Sequence, residues 1–352
     1  MGAVLEPIHR WESAAATYPI VRFIDAVLRG FGQVMFQNNP ITGLFFLIGL
    51  FVGGLEFGSY ALLACVVSTA TAYWLGVPST AISSGLYGYN AVLVGVALVF
   101  YLDTTWTLVP YAIVGAFAAC IASAAIGNIL GTWQIPALTG PFVVTIWLFA
   151  LGIYGFSKVE NGANSQAPAL PELMQGGRAS LGGSDLLEGL FKGVSEVFFQ
   201  NSIWIGVMFL VGIFFSSQID AAMALIGSLI GLAAGWFLGV SQDSLVLGLM
   251  GYNGVLTMIA LAGLFYKLDV NSIILAAIAV VISVVVSIAL TAFAAPYGGH
   301  IYTAPFVLTT YAFIAAKPFL HRVTAVSPAD AVTPEEQINL YRRVHWWSER
   351  NK

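Results

Sequence analysis

The sequence predicts an all-α integral membrane protein: about ten transmembrane helices, each needing ~20 apolar residues, plus two short tilted or re-entrant helices. Two observations set the class, and a third sets the layout as two inverted-topology repeats. Hydrophobic residues make up 59% of the chain and charged residues only 9%, against roughly 45–50% and about 25% in a soluble domain. The charges also leave long gaps. Residues 57–102, 104–157 and 270–316 contain no Asp, Glu, Lys or Arg, and each gap exceeds twice the ~20 residues that cross a bilayer once. The third observation is repetition. GLYGYNAVL at 85–93 returns as GLMGYNGVL at 248–256, and FQN at 36–38 returns at 199–201. LGV at 75–77 returns at 238–240, all at an offset of 163. TGPFVVT at 139–145 returns as TAPFVLT at 303–309, one residue later in register. Chance does not hold one offset over separate blocks, so the chain is an internal duplication.

Taken in order, residues 20–157 form the first repeat, 158–183 an exposed linker, 184–318 the second repeat and 319–352 a tail. The opening residues carry charges throughout and give no expectation of a cleavable signal peptide. A short amphipathic helix then begins each copy, IDAVLRGFGQVMFQN in the first and LEGLFKGVSEVFFQN in the second. Asp25 with Arg29, and Glu188 with Lys192, are acid–base pairs at i, i+4. The same spacing brings Gln33 and Glu196 onto that face, and Phe36 and Phe199 follow three residues on. These polar helices read as re-entrant segments, tolerated at membrane depth only where buried in protein or lining a watery cavity. Five apolar spans follow in each copy, near 41–55, 57–76, 86–101, 106–130 and 140–157, then near 202–216, 219–240, 249–266, 270–295 and 304–317. Five crossings make the second copy enter from the opposite face, which relates the copies by a pseudo-two-fold axis in the membrane plane.

Between the halves, KVENGANSQAPALPELMQGGRASLGGSD has loop composition. Arg10, Arg22 and Arg29 precede the first span, and Lys317, Arg322, Arg342, Arg343, Arg350 and Lys352 follow the last. The central region holds only Lys158, Arg178 and Lys192. That excess places both termini on the cytoplasmic side of a plasma (inner) membrane. The tail carries Thr333-Pro334-Glu335-Glu336, a helix start with Thr as N-cap, Pro in the first turn and acids at the positive end.

Few residues can carry chemistry. Glu196 at membrane depth is costly and so a functional candidate; the plain alternative is an interfacial pair with Lys192. Tyr89 and Tyr252 open a span within the repeated Gly-Tyr-Asn, as pore lining or as an aromatic belt. Thr139 and Thr303 precede Pro-Phe in apolar surroundings, where a hydroxyl can also be satisfied by its own helix. Glu56, Asp103, Asp220, Asp243 and Asp269 fall at expected span ends. His300 reads as a loop residue, and Cys65 and Cys120 as small packing residues. No metal-ligand spacing, phosphate loop or nucleophile–base pair is present in the sequence, so neither an enzyme nor a cofactor is expected. No basic stripe points to nucleic acid.

The paired Gly-Tyr-Asn and Phe-Gln-Asn, with the repeated Thr-x-Pro-Phe, resemble the urea transporter family from about residue 20 to 318. Its signature, Leu-Pro-x-x-Thr-x-Pro-Phe, is matched in the first copy, with Ile for Leu, by Ile135-Pro136-Ala137-Leu138-Thr139-Gly140-Pro141-Phe142. The second copy, Gly299-His300-Ile301-Tyr302-Thr303-Ala304-Pro305-Phe306, keeps only Thr-x-Pro-Phe. The resemblance implies a homotrimer in the lipid bilayer, each subunit with its own central pore for urea or a close analogue. Gln33, Glu196, Phe36, Phe199, Tyr89, Tyr252, Thr139 and Thr303 would line that pore, and Leu93 and Leu256 would narrow it. The family usually has Phe where Tyr89 and Tyr252 stand, and two added hydroxyls need partners if buried. Urea is flat, with NH2 donors along its edges, so ring faces and edge acceptors suit it and passive permeation is expected. The rival expectation is a proton-coupled transporter that uses Glu196 as the proton carrier.

Overall fold

The computed structural model describes residues 2–171 and 181–340, with side chains from residue 10 onward. Arg178, Arg342, Arg343, Arg350 and Lys352, which enter the charge count above, lie outside the described residues. The chain is helical, and its described strand pairing amounts to two isolated bridges. A leading helix, α1 (Gly2–Thr17), precedes the first copy and packs on α2. That copy runs α2 (Pro19–Gln33), α3 (Pro40–Gly53), α4 (Leu55–Trp74), α5 (Ser79–Ser83), α6 (Tyr89–Tyr101), α7 (Leu108–Gly131) and α8 (Gly140–Gly152). The second runs α9 (Gly183–Ser195), α10 (Ile203–Ser216), α11 (Gln218–Phe237), α12 (Gln242–Val246), α13 (Tyr252–Ile259), α14 (Val270–Ala294) and α15 (Ala304–Ala315).

The helices fall into two lengths. α4, α7, α11 and the α14 segment running on to Tyr297 are long and apolar enough to cross a membrane. α7 and α14 leave most of their apolar surface exposed, as helices facing lipid tails do. α3, α6, α8, α10 and α15 have 12 to 14 residues, a length of ~18–21 Å that stops short of the ~30 Å hydrocarbon core. Against about ten spans expected from the sequence, four helices among the described residues are long and apolar enough to cross, or five if the bent α9–α10 pair is one span.

The opening helix of each copy folds back against its successor. α9 with its 3-10 extension and α10 are bent by 71° across a short break. Glycine sets the closeness of this packing. A Cβ at Gly43 of α3 would run into the carbonyl oxygen of Leu28, and one at the matching Gly206 of α10 into that of Phe191. The two acid–base pairs form, Arg29 Nε to Asp25 Oδ2 at 2.7 Å and Lys192 Nζ to Glu188 Oε2 at 2.6 Å.

The change of register from 163 to 164 also has a structural seat. α13 continues as a π-helical turn, Ala260–Leu264, closed by Phe265 N–H donating to Ala260 O at 2.9 Å. A π turn absorbs one extra residue without ending a helix. Beyond it, contacts match at 164: Gly162 N–H donates to Tyr101 O at 2.8 Å, and Val326 N–H to Phe265 O at 2.8 Å.

That second contact shows that the tail returns to the core. Pro334 fills the space beside Gly263, and Gln337, 3% exposed, donates from Nε2 to Leu264 O at 3.0 Å. The Glu335 carboxylate accepts from Ser217 Oγ at 2.7 Å and from Ile219 N–H at 2.9 Å, capping the N-terminus of α11. Residues 334–340 are helical, begun by Thr333, whose hydroxyl takes the Glu336 N–H at 3.4 Å.

Candidate functional site

At the centre, two helix N-termini meet. Thr139 is the N-cap residue of α8 and Thr303 that of α15. Their hydroxyls hydrogen-bond each other at 2.6 Å, and both residues are 2% exposed. Each helix has Pro in its first turn, where a missing N–H costs nothing. The residues before the threonines, Leu138 and Tyr302, are held at φ of +49°, a left-handed conformation uncommon for such side chains.

The repeated Gly-Tyr-Asn supplies the restraint on this turn. Tyr89 Oη donates to Leu138 O at 2.5 Å, and Tyr252 Oη to Tyr302 O at 2.6 Å. Asn90 Oδ1 accepts the Phe142 N–H at 3.0 Å, and Asn253 Oδ1 the Phe306 N–H at 3.2 Å. The two motifs therefore form one unit per copy. Tyr fixes the carbonyl just before the threonine, and Asn caps the helix just after it. Each copy also holds the other's turn. Trp147 Nε1 donates to His300 O at 2.8 Å, and Tyr311 Oη donates to Ala137 O.

On either side of the threonines stand aromatic clusters. Phe36 follows α2 and Phe199 follows α9, with φ of +64° and +59°. Both close a Schellman turn: Gln37 N–H donates to Gly32 O at 3.0 Å, and Gln200 N–H to Ser195 O at 3.2 Å. That left-handed site normally takes Gly. A bulky ring there is strain held for a purpose other than helix termination. Phe36 packs edge-on against Phe265 and Phe306 of the other copy, with centroids at 6.1 and 6.0 Å. Phe199 packs against Phe100, Tyr101 and Phe142 of the first copy and against Tyr302.

Of the residues singled out in the sequence, Thr139, Thr303, Tyr89 and Tyr252 meet at this turn, and Phe36 and Phe199 pack on the phenylalanines that follow it. Gln33 Nε2 donates to Ser84 O at 2.8 Å, which leaves its carbonyl oxygen as the accepting end. Lys192 Nζ donates to Glu188 Oε2 at 2.6 Å, the i, i+4 pair expected from the sequence. Glu196 is half-buried at the end of α9. Leu93 and Leu256 are fully buried in the main apolar cluster. The rings beside Phe36 and Phe199 are the phenylalanines of Thr-x-Pro-Phe, while Tyr89 and Tyr252 turn their hydroxyls to carbonyls. Asp220, expected at a cheap span end, is 1% exposed and accepts from Gln37 Nε2 at 3.0 Å. The free cysteines are buried, and Cys65 packs between Gly30 and Gly88. Among the described residues no group of His, Cys, Asp and Glu could hold a metal ion.

Long apolar helices exposed to lipid, with short ones that meet head to head at a polar centre, define an integral membrane protein of the transporting kind. The chain belongs to the urea transporter family: the family model described as Urea transporter matches residues 24–318. This is a family of transporters and not of enzymes. The chain is 32% identical to Urea transporter 1 of Capra hircus over 337 residues, 91% of this chain and 84% of that protein. It is 31% identical to Urea transporter 1 of Ovis aries over the same shares. With Urea transporter 1 of Mus musculus the identity is 30% over 257 residues, 71% of this chain but only 65% of the relative's length.

Proposed function

We propose that the chain conducts urea passively across the membrane, along a path between its two halves. The path runs from Gln33 and Phe36, past Thr139 and Thr303, to Phe199 and Glu196, with Tyr89, Tyr252, Leu93 and Leu256 around it. The observation that carries this reading is the Thr139–Thr303 contact. Equivalent residues of two copies touch only where a two-fold axis passes, and Phe46 and Phe209 do so as well, with ring centroids 5.0 Å apart. This supports two inverted repeats of five crossings each, with α5 and α12 as short connecting turns and the path on the pseudo-axis. Membership of the family supports urea as the cargo and a homotrimer, and the excess of Lys and Arg before the first span and after the last supports both termini on the cytoplasmic side of a plasma (inner) membrane.

The chemistry favours a neutral solute. The positive ends of α8 and α15 converge on the threonines, and such converging dipoles repel cations, protons included. Ring faces suit the flat sides of urea, and oxygens spaced along the proposed path can accept from its NH2 groups. Each contact replaces one with water for a net gain of about 0.5–1.5 kcal/mol, weak enough to release the solute onward.

Stopped-flow light scattering on proteoliposomes tests this reading, with urea entering down its own gradient at equal pH on both sides. Urea flux above that of empty liposomes, non-concentrative and retained in Glu196→Gln, is the expected result. Flux that appears only under a proton gradient and vanishes in Glu196→Gln would replace it with the proton-coupled mechanism.

A further inference from the structure

The segments that follow the two copies hold equivalent places, although they share no sequence. Residues 160–162 read Glu-Asn-Gly, and residues 324–326 read Thr-Ala-Val. Each segment pairs with a helix end of its own copy. Leu102 forms an antiparallel bridge with Asn161, and Tyr266 with Ala325. Asp103 N–H donates to Glu160 O at 3.0 Å, and Lys267 N–H to Thr324 O at 2.8 Å. In return Gly162 N–H donates to Tyr101 O, and Val326 N–H to Phe265 O, both at 2.8 Å. Every one of these pairs is related to its counterpart by an offset of 164. The second copy therefore runs on to residue 326, into what the sequence reads as a tail.

The carbonyls held in this way are ones that a helix end leaves without an internal donor. α6 ends at Tyr101, and the π turn after α13 ends at Leu264. One carbonyl earlier in each copy, a side-chain amide is the donor: Asn164 Nδ2 to Phe100 O and Gln337 Nε2 to Leu264 O, both at 3.0 Å. With Pro334 beside Gly263, the tail covers residues 263, 264 and 265 in succession. The residues so held carry rings that touch the two left-handed phenylalanines. Tyr101 meets Phe199 edge-on at 5.9 Å, and Phe265, 6% exposed, meets Phe36 edge-on at 6.1 Å.

We propose that residues 324–326, with Gln337, position Phe265 and through it Phe36, and so set how thick a solute the Gln33 end of the path admits. The inference rests on the urea-conducting reading and deepens it. Phe265 and Val326 are positioning residues of that path: Val326 holds the backbone, and the Phe265 ring passes the restraint to Phe36. A ring on the last turn of a helix moves with its backbone, and a helix end without donors for its carbonyls frays. Residues 160–162 hold Tyr101 against Phe199 at the other end in the same manner.

The test uses the full chain in proteoliposomes: wild type, Val326→Pro, Val326→Ala and Gln337→Leu. Entry of urea and of N-methylurea is followed at equal pH, and melting in detergent is recorded alongside. The methyl hydrogens of N-methylurea stand out of the plane, so this solute gains most where the Phe36 ring can yield. Val326→Pro removes the N–H given to Phe265. Gln337→Leu removes the amide given to Leu264 and Val332, at similar volume. Losing such a bond makes displacement of the ring easier by about two- to tenfold. The N-methylurea-to-urea permeability ratio should rise by that factor in both variants and keep its wild-type value in Val326→Ala, which retains the N–H. An unchanged ratio in both well-folded variants, whatever their melting temperatures, overturns the positioning role and leaves urea conduction standing. An equal rise in Val326→Ala also overturns it, because the side chain and not the N–H would then be responsible. If Val326→Pro fails to fold, the ratio in Gln337→Leu decides. A wild type that moves no urea overturns both readings.

Discussion

Replacing Asn90 by Ala should cost more stability than the same change at Asn253, although the two occupy equivalent places. Asn90 is 1% exposed and fully engaged: Oδ1 takes the Phe142 N–H at 3.0 Å, and Nδ2 donates to Ser123 Oγ at 3.2 Å and Leu138 O at 3.4 Å. Truncation leaves a buried N–H unpaired, at about 1–3 kcal/mol, and forfeits the Ser123 bond, worth about 1 kcal/mol. The sum is about 2–4 kcal/mol. Asn253 also holds an N–H, that of Phe306 at 3.2 Å, but its Nδ2 is buried with no partner. Asn253→Ala exposes the same kind of orphan amide and removes another, so its net cost is about 0–1 kcal/mol. Apparent melting temperatures in detergent, taken at one scan rate because unfolding of such proteins is commonly irreversible, should rank wild type close to Asn253→Ala and well above Asn90→Ala. Urea flux should fall further in Asn90→Ala, since the start of α8 carries Thr139. Equal losses, or a larger one at Asn253, would refute the reasoning and mean that the Asn253 amide has a partner after all.

Thr139→Val and Thr303→Val each remove one hydroxyl of the central pair and should slow urea passage about fivefold, roughly 1 kcal/mol in barrier, with little loss of folding. Wild-type rates in both well-folded variants would remove the threonines from the path. Tyr89→Phe and Tyr252→Phe each lose a hydroxyl-to-carbonyl bond and should lower stability by about 0.5–1.5 kcal/mol in detergent melts. Melting temperatures matching wild type would show the bonds contribute nothing. Glu335→Ala uncaps α11 and should weaken tail docking by about 1–2 kcal/mol, seen as faster protease cleavage between residues 320 and 340 with urea flux retained. Unchanged cleavage would place the docking elsewhere.

The class of fold and the pairing of the repeated motifs at the candidate site were legible because they depend on composition and on repetition. A charge-free run longer than a bilayer crossing needs no structure to interpret, and a motif written twice marks itself. What sequence alone could not reach were long-range and conformational facts. Nothing in Phe-Gln-Asn advertises that Phe36 and Phe199 sit at positive φ, where pattern reading expects Gly. Asp220 looked cheap at a helix start because its partner, Gln37, is 183 residues away. The docking of the tail could not be read because Gln337 reaches the end of a π turn that hydropathy cannot show. Tyr89 and Tyr252 raised the right question, where their hydroxyls go, but the answer lay in two carbonyls near the other repeated motif. One signal was available and unused. The near-equal spacing between Gly-Tyr-Asn and Thr-x-Pro-Phe, 50 residues from Tyr89 to Thr139 and 51 from Tyr252 to Thr303, already implied that they work together.

The duplication also explains which parts of the proposed path can change. On a two-fold axis a residue meets its own counterpart, so Thr139 and Thr303 must each suit the other, and the Tyr and Asn that hold them are bound by the same condition. Divergence in one copy there disturbs both. Away from the axis the constraint lapses, since each mouth is built from different copies of the same elements. That is where the halves differ: Gln33 against Glu196, Pro136 against His300, Leu138 against Tyr302. A symmetric centre with unlike ends sets one standard for what passes and two standards for what enters. On this argument, exchanging Gln33 and Glu196 between the halves should alter entry from each side while leaving selection at the threonines unchanged.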